Sequence, residues 1–316
     1  MRRPRTPRYT LIKGQYSIHN PNNPRRGPEP DGDTVTFFPD SLDLVRALKR
    51  FSGRAPEITN GHINARYEGI DALETHFQGT HQDLGFANAA RELNLALLGF
   101  TNVRFFPDLP NVVQSVDRNP LPGYVIANGI ESNGRLLGLV YVGTTQRRDG
   151  ERVFVDNAVL DASVNTKLVD AGLAFVEPYD TMPLALVQHL RAKIAAARAA
   201  GNGLWPSESP TTTHSVRIAN LSDAEALVMW PKLFRRLSNY FREGNAGLGQ
   251  FDSWIRDDRI RRDDSLRLPN GEAGNMHDTF LVDGDTLRLE FRPEELLERP
   301  FRFVFHPQVL IPRFTS

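Results

Sequence analysis

One sequence feature constrains the fold of the first two thirds of the chain more than any other. Short runs of strand character occur there, and the helices between them do not alternate regularly with the strands. The strand-like runs lie at residues 9–19, 34–38, 63–70, 101–106, 122–128 and 135–143. Asp83 and Gly99 are suited to cap and to end one intervening helix, and further helices are expected within 163–176 and 183–200. This order favours a small closed barrel with packed helices over the βαβ alternation of a parallel sheet.

A segment rich in Ser, Thr and Pro, residues 207–215, is interpreted as a linker. It divides the 316 residues, enough for two domains, into a barrel domain at 9–206 and a smaller α+β C-terminal domain at 216–316. In the second, Ser222 and Glu225 suggest a capping box, and a strand-rich end follows. The helix expected after Pro231 has one apolar face, made of Leu233, Phe234, Leu237, Tyr240 and Phe241.

Charge and composition exclude several classes of protein. Lys+Arg and Asp+Glu are equal at 38 each, so any affinity for a polyanion must come from local charge. The local excess lies in residues 1–26, which contain seven Lys or Arg residues and no acid. Its first part, residues 1–8, is interpreted as a basic N-terminal arm that is either solvated or in contact with a polyanion. No apolar run approaches the ~20 residues of a membrane span, and the N-terminus lacks the apolar core of a signal peptide, so a cytoplasmic location is expected. Cysteine is absent, which excludes disulfides and thiolate chemistry.

The phrase Asp-Gly-Asp-Thr occurs twice, at residues 31–34 and 283–286, and the two copies differ in their surroundings. In the second copy, strand-like residues flank Asp283 and Gly284 closely on both sides. This pattern is typical of a β-hairpin with a type I′ turn, because Asp and Gly tolerate positive φ. We therefore interpret the second copy as a plain hairpin.

The first copy is followed by charged residues whose order and spacing are informative about function. Downstream of Asp33 the chain reads Arg66-x4-Asp71-x2-Glu74, and Arg135 stands at the start of a later strand. Carboxylates at neighbouring strand ends can share a hard divalent cation, and a third carboxylate can orient or deprotonate a water. Two arginines provide planar forks that match phosphate oxygens. Together these residue types indicate attack on a phosphodiester.

The ordered series of motifs resembles the staphylococcal nuclease family from about residue 12 to about residue 206. It comprises "DGDTV", the Arg-x4-Asp-x2-Glu-Thr spacing, "VYV" after Gly-Arg, "VNTKLVDAGLAFV" and a final helix that closes with Trp205. The resemblance implies an OB-fold, a five-stranded β-barrel with three packed helices. It also implies Ca²⁺-dependent, sequence-nonspecific endonuclease cleavage of DNA or RNA that leaves 3′-phosphate ends, with Mg²⁺ or Mn²⁺ as alternative ions.

Carried over position by position, the resemblance assigns roles to individual residues. Asp33 and Asp71 would bind Ca²⁺ through their carboxylates, and Ala72 through its backbone carbonyl. The catalytic set would be Glu74, as base or water-orienting group, with Arg66 and Arg135 as the phosphate clamp. Tyr179 would contact the substrate, with packing as the alternative.

The sequence departs from the family pattern in three places. The two tyrosines that the family has beyond the Gly-Leu-Ala helix are reduced here to Tyr179. The spacing between Asp33 and Asp71 is stretched by an insertion at about residues 39–60, interpreted as a lid or as an elaborated loop. Ser132-Asn133 replace the Lys-Tyr pair often found before the Gly-Arg, which lowers the expected affinity for a terminal phosphate.

Three hypotheses follow from the sequence. The first is a metal-dependent phosphodiesterase, and the second is a non-catalytic OB-type module that binds nucleic acid or a protein. The third is an active barrel whose C-terminal domain, residues 216–316, regulates it or targets it through a protein partner or self-association. The intact set of charged residues favours the first.

Overall fold

The computed structural model describes residues 8–257 and 263–299. Most of the predicted basic arm and the apolar segment 300–314, expected to form strands, lie outside the described residues. In the described part of the chain, none of the helices combines the length and apolar character needed to cross a lipid bilayer.

The N-terminal two thirds contain the barrel strands and the helices packed on them. The strands are β1 (Arg8–Ser17), β2 (Thr34–Pro39), β3 (Ile63–Tyr67), β4 (Gly69–Asp71), β5 (Arg104–Phe106), β6 (Leu109–Ser115), β7 (Leu121–Ile130), β8 (Leu136–Val142), β9 (Arg152–Phe154) and β10 (Phe175–Glu177). The helices are α1 (Leu42–Arg46), α2 (Leu84–Leu97), α3 (Asn157–Asp161), α4 (Val164–Asp170) and α5 (Leu184–Ala199). Short 3₁₀ turns lie at Pro24–Arg26 and Trp205–Ser207.

Five of these strands close into a barrel. The hydrogen-bonded order is β2-β3-β8-β7-β1, and β1 pairs again with β2, which completes the circuit. All pairings are antiparallel except β3 with β8, and β9 adds to one end of β1. Gly14 allows β1 to bend between its two partners, because a Cβ there would lie 2.2 Å from the carbonyl oxygen of Phe38. The α+β, OB-type barrel predicted from the sequence is therefore confirmed.

Local sequence signals fix the ends of the barrel-packed helices. The Asp83 side chain accepts a hydrogen bond from the backbone N–H of Phe86, as predicted for the start of α2. Ser163 caps α4 in the same way through Thr166, and Gly172 ends that region with a φ of 70°. Asn165, fully buried in α4, bonds the backbone of β8 and thereby fixes α4 against the barrel.

The C-terminal part is a smaller unit of short strands and helices. Its strands are β11 (Val216–Arg217), β12 (Ser265–Arg267), β13 (Ala273–Asn275), β14 (Phe280–Asp283), β15 (Thr286–Leu289) and β16 (Leu297–Glu298). Its helices are α6 (Leu221–Glu225), α7 (Pro231–Arg242) and α8 (Phe251–Asp257), with 3₁₀ turns at Met276–Thr279 and Pro293–Glu295. The predicted apolar face of α7 is buried along its whole length.

Two predictions for this unit need correction. The cap of α6 is Asn220, whose side chain accepts from the backbone N–H of Asp223, and Ser222 lies inside the helix. The hairpin between β14 and β15 is present, but its loop is Gly284-Asp285, because Asp283 pairs with Thr286. Among the described residues, only Gly284 of that pair has positive φ, at 58°. A type I′ turn needs positive φ at both loop positions, so the predicted turn type is wrong.

Candidate active site

The antiparallel pairing of β2 with β3 places the first Asp-Gly-Asp turn next to Arg66, one of the two predicted arginines. Thr34 lies opposite Arg66 in this ladder, so Asp33 stands beside the Arg66 side chain. Gly32 is the closest-packed point of the turn, since a Cβ there would lie 2.5 Å from the Cβ of Ala72. Gly is therefore needed at position 32 for close approach to the segment after β4, and not for an unusual φ.

Arg66 joins the two aspartates that were predicted to share a cation. One of its nitrogens contacts Oδ2 of Asp33, and the other donates to Oδ1 of Asp71 at 2.5 Å. All three side chains are less than 10% exposed. Burial alone would lower the pKa of Arg66, but the charges of Asp33 and Asp71 raise it above its ordinary value. The cluster is therefore a buried network of one guanidinium and two carboxyl groups.

The backbone around Asp33 completes this network. The N–H of Ala72 donates to Oδ2 of Asp33 at 2.7 Å, and the Thr34 hydroxyl donates to Oδ1 at 3.1 Å. Asp31, the other aspartate of the turn, accepts from the hydroxyl of Thr75 at 3.1 Å. Burial, and then the charge of Asp33, raises the pKa of Asp31 to about 6. Sequence reasoning did not single out Asp31.

Glu74 lies at the edge of the same cluster. Its backbone N–H donates to the side-chain oxygen of Gln82 at 3.1 Å, which fixes the segment that carries it. Burial raises the pKa of Glu74 to about 7, although the charge of Arg235 opposes the shift. A carboxyl group with a pKa near neutrality is suited to accept a proton from water and to release it again.

Arg235, on α7 of the C-terminal unit, enters this cluster and was missed by sequence reasoning. It donates to Oδ2 of Asp71 at 2.9 Å and to Oε1 of Glu74 at 2.5 Å. A weaker contact reaches Oδ1 of Asp71 at 3.3 Å. Burial would raise the pKa of Asp71, but the charges of Arg235 and Arg66 together lower it well below its ordinary value. The one available signal was the spacing of charged residues along α7, which does not reveal what they contact.

Arg135 is held by Glu131, a residue of the same loop, which sequence reasoning did not single out. Glu131, 1% exposed, accepts from the backbone N–H of Arg135 at 3.0 Å and from its Nε at 3.2 Å. The same carboxylate accepts from the backbone N–H of Asn133. The predicted insertion packs beside this loop, where Glu57 donates its backbone N–H to the carbonyl of Gly134 at 2.8 Å. The insertion thus supports the Arg135 loop.

Tyr179 lies in the wall of the same cleft but is only 7% exposed. Burial raises its pKa well above the ordinary value. The cleft is a cavity of about 660 Å³ between the barrel and the C-terminal unit. Its lining includes cationic side chains from both units, namely Arg66, Arg135, Lys232, Arg235, Arg236 and Arg299.

The chemistry of the carboxylates can be compared with that of a metal site. Asp33 and Asp71 contact one guanidinium and so lie within reach of one cation, and their oxygens are the donors that Ca²⁺ and Mg²⁺ prefer. The donor set therefore fits a hard divalent cation, although arginines hold these oxygens here. Within the described ranges, no group of three or more His, Cys, Asp or Glu side chains is arranged to hold a metal ion.

Comparison with known families matches part of the chain. Residues 64–207 match the family model described as staphylococcal nuclease homologue, and the C-terminal unit has no such match. No curated protein is significantly similar to the chain. The matched stretch contains Arg66, Asp71, Glu74 and Arg135, while Asp33 precedes it. Residues 64–207 are therefore similar to the staphylococcal nuclease homologue family.

Proposed function

We propose that the protein is a metal-dependent nuclease that hydrolyses phosphodiester bonds in DNA or RNA with little base preference. The observation that carries the proposal is the joining of Asp33, Asp71 and Arg66 in one buried cluster, with Glu74 at its edge. The cluster opens into a cleft that also contains Arg135. A site that needed only to bind nucleic acid would not require buried carboxylates next to the phosphate position, because they repel phosphate.

Asp33, Asp71 and the carbonyl of Ala72 would hold the cation, with Ca²⁺ favoured and Mg²⁺ or Mn²⁺ as alternatives. When bound, the ion would polarise a phosphoryl oxygen and neutralise developing charge. In our proposal Glu74 takes a proton from the attacking water, whose oxygen forms the new bond to phosphorus. The bond to the 5′ oxygen breaks, and that oxygen takes up a proton from solvent. The products are a 3′-phosphate and a 5′-hydroxyl.

The two arginines act on charge rather than on protons. Arg66 and Arg135 would bind the non-bridging phosphate oxygens, whose negative charge increases in the transition state. Arg66 needs no movement of the backbone, because the β2–β3 ladder already fixes it beside Asp33. Arg135 is 30% exposed in its side chain, so its guanidinium remains accessible to a ligand in the cleft. We propose Tyr179 as a contact to the sugar or base from the cleft wall.

Digestion of plasmid and of single-stranded DNA and RNA tests the proposal. Wild type and Glu74→Gln are compared with Ca²⁺, Mg²⁺, Mn²⁺ and a chelator, and Glu92→Gln, an exposed glutamate on α2, is the control. We expect metal-dependent cleavage that Glu74→Gln lowers by about 10²–10⁴-fold and Glu92→Gln leaves unchanged. Equal rates for wild type and Glu74→Gln would contradict the role of Glu74. No cleavage by folded wild type with any metal would favour a non-catalytic binding module.

A further inference from the structure

Helix α7 has two chemically distinct faces. One face is apolar and lies in the core of the C-terminal unit. The other carries Lys232, Arg235, Arg236 and Asn239, which follow the i, i+3, i+4, i+7 spacing of one helical stripe. All four line the cleft that contains the candidate active site. The C-terminal unit therefore presents a basic stripe to the carboxylates of the barrel.

The cations of this stripe are already paired with carboxylates. Lys232 contacts Glu298 at 3.0 Å, and Arg236 forms a fork with Asp264 at 2.7 and 2.8 Å. Arg235 is paired with Asp71 and Glu74, as described above. A wall that binds a nucleic-acid backbone needs cations that are available to phosphate. Lys232 also lies 3.4 Å from Glu177 of the barrel, so Lys232 and Arg235 both contact acids across the boundary, which favours a closing contact between the two units over a second substrate-binding surface.

Arg235 is the guanidinium that the C-terminal unit adds to the carboxylates of the proposed chemistry, two of which Arg66 of the barrel also contacts. Its guanidinium donates to both oxygens of Asp71 and to one oxygen of Glu74. These are the carboxylates that would hold the metal ion and take up the proton of water. A guanidinium and a divalent cation on the same oxygens repel each other, so both cannot bind there with full affinity.

The start of α7 is fixed to the barrel by buried contacts. Gln82, fully buried, donates its side-chain N–H to the carbonyl of Met229 at 2.9 Å, while its oxygen holds the backbone of Glu74. Trp230 donates to the carboxylate of Glu177, and Thr80 contacts Glu225. These contacts place the turn before α7 against the segment that carries Glu74. Arg235 is thus held at the carboxylates by the fold and not by its own ion pairs alone.

We infer that Arg235 is a built-in competitor of the catalytic metal ion, through which the C-terminal unit holds the nuclease inactive at low divalent-metal concentration. The inference rests on the proposed function. Metal binds only as Arg235 leaves Asp71 and Glu74, so the apparent metal affinity of the full chain is lower than that of the carboxylates alone. The nuclease becomes active when the metal concentration is high enough to displace the guanidinium.

Calcium binding to the full, chelator-treated chain tests the inference by isothermal titration calorimetry. Wild type is compared with Arg235→Gln, with Arg235→Lys and with Arg242→Gln, an exposed arginine at the end of the same helix. We expect Arg235→Gln to bind Ca²⁺ at least tenfold more tightly than wild type, and Arg242→Gln to bind within twofold of it. Arg235→Lys keeps the positive charge but cannot donate two parallel hydrogen bonds, so its calcium affinity should increase less than that of Arg235→Gln.

The calcium concentration for half-maximal DNA cleavage should fall in the same order. Unchanged or weaker binding by Arg235→Gln would overturn the inference. So would a lower maximal rate with unchanged calcium affinity, because Arg235 would then act on the substrate. If Arg235→Gln does not fold, Arg235→Lys decides: tighter binding supports the inference, and equal binding overturns it.

Failure of the inference and failure of the proposed function give different results. Tighter calcium binding by Arg235→Gln without cleavage would support competition and contradict the nuclease. No calcium binding by any folded variant would overturn both. If wild type cleaves DNA and Arg235→Gln binds calcium with the same affinity as wild type, the proposed nuclease activity is supported and the competitor role of Arg235 is contradicted.

Discussion

The indole N–H of Trp230 donates a hydrogen bond to Oε1 of Glu177 at 3.1 Å, and both side chains are almost fully buried. Trp230 belongs to the C-terminal unit and Glu177 to the barrel. The pair is therefore one of the points at which the two units depend on each other for stability.

Trp230→Phe should destabilise the protein by about 2 kcal/mol, because it leaves a buried carboxylate short of one donor. Chemical denaturation measures the change. Trp254→Phe is the control, since the Trp254 indole bonds a glutamate of its own unit, Glu243, at 2.7 Å in an exposed setting. It should cost less than about 1 kcal/mol. Equal losses of stability in the two variants would show that the buried bond to Glu177 contributes no more to stability than the exposed bond of Trp254.

The glycines of the two Asp-Gly-Asp motifs, Gly32 and Gly284, can be compared by the same substitution to alanine. Gly32→Ala would place a Cβ 2.5 Å from Ala72, whereas Gly284 has positive φ and nothing within 4 Å of its Cβ position. Gly32→Ala should therefore lower both stability, by about 1–3 kcal/mol, and DNA cleavage, because it shifts Asp33 from Ala72. Gly284→Ala should cost about 1 kcal/mol and leave cleavage unchanged. Thermal unfolding and digestion rates measure both, and a reversed order of cleavage would contradict the packing argument.

The buried carboxyl group of Glu68 should make the free energy of unfolding depend on pH. It is fully buried, and burial raises its pKa from 4.5 to about 7, against the opposing hydrogen bonds of Asn128 and Tyr9. The native state therefore holds the proton more tightly than the unfolded state. The stability that Glu68 contributes is fully present below about pH 4.5 and is lost as pH rises through about 7.

Glu68→Gln should remove this part of the pH dependence. We expect wild type to lose up to about 3 kcal/mol relative to Glu68→Gln between pH 4.5 and pH 8, from the size of the shift. Denaturant unfolding in chelator at the two pH values measures the difference. A constant difference between the two proteins would show that Glu68 does not titrate in this range.

Glu131 predicts an effect on rate through Arg135. Burial would raise the pKa of Glu131, but the charge and hydrogen bonds of Arg135 lower it, so it stays ionised. Glu131→Gln should lower kcat/KM for DNA by about tenfold, because Arg135 loses its fixed orientation. Glu151→Gln is the control, since it pairs with Arg147 on the surface at 2.5 Å. The same loss in both variants would point to a general charge effect.

Much of the barrel was predictable because its signals are local. Alternating strands, the Asp83 and Ser163 caps and the spacing from Arg66 to Glu74 are all read within a few residues. The cap of α6 was misassigned for the same reason, since Asn220 and Ser222 are both good caps and only packing selects between them.

The partners of the charged residues were not predictable in this way. The pattern of α7 indicates a basic face but not the acids that it meets. Glu131 and Glu177 look like ordinary surface glutamates in the sequence, but the fold buries both. The role of Gly32 was also hidden, because the side chains that it must avoid belong to other elements.

The distance along the chain between Asp71 and Arg235 has a consequence for biosynthesis. The two residues are 164 positions apart. At roughly 5–20 residues per second, the ribosome adds Arg235 some ten to thirty seconds after Asp71. During that interval, Arg66, Asp71 and Glu74 have been synthesised and the second guanidinium has not. Each new copy of the protein therefore passes through a stage in which these acidic residues are present and Arg235 is not.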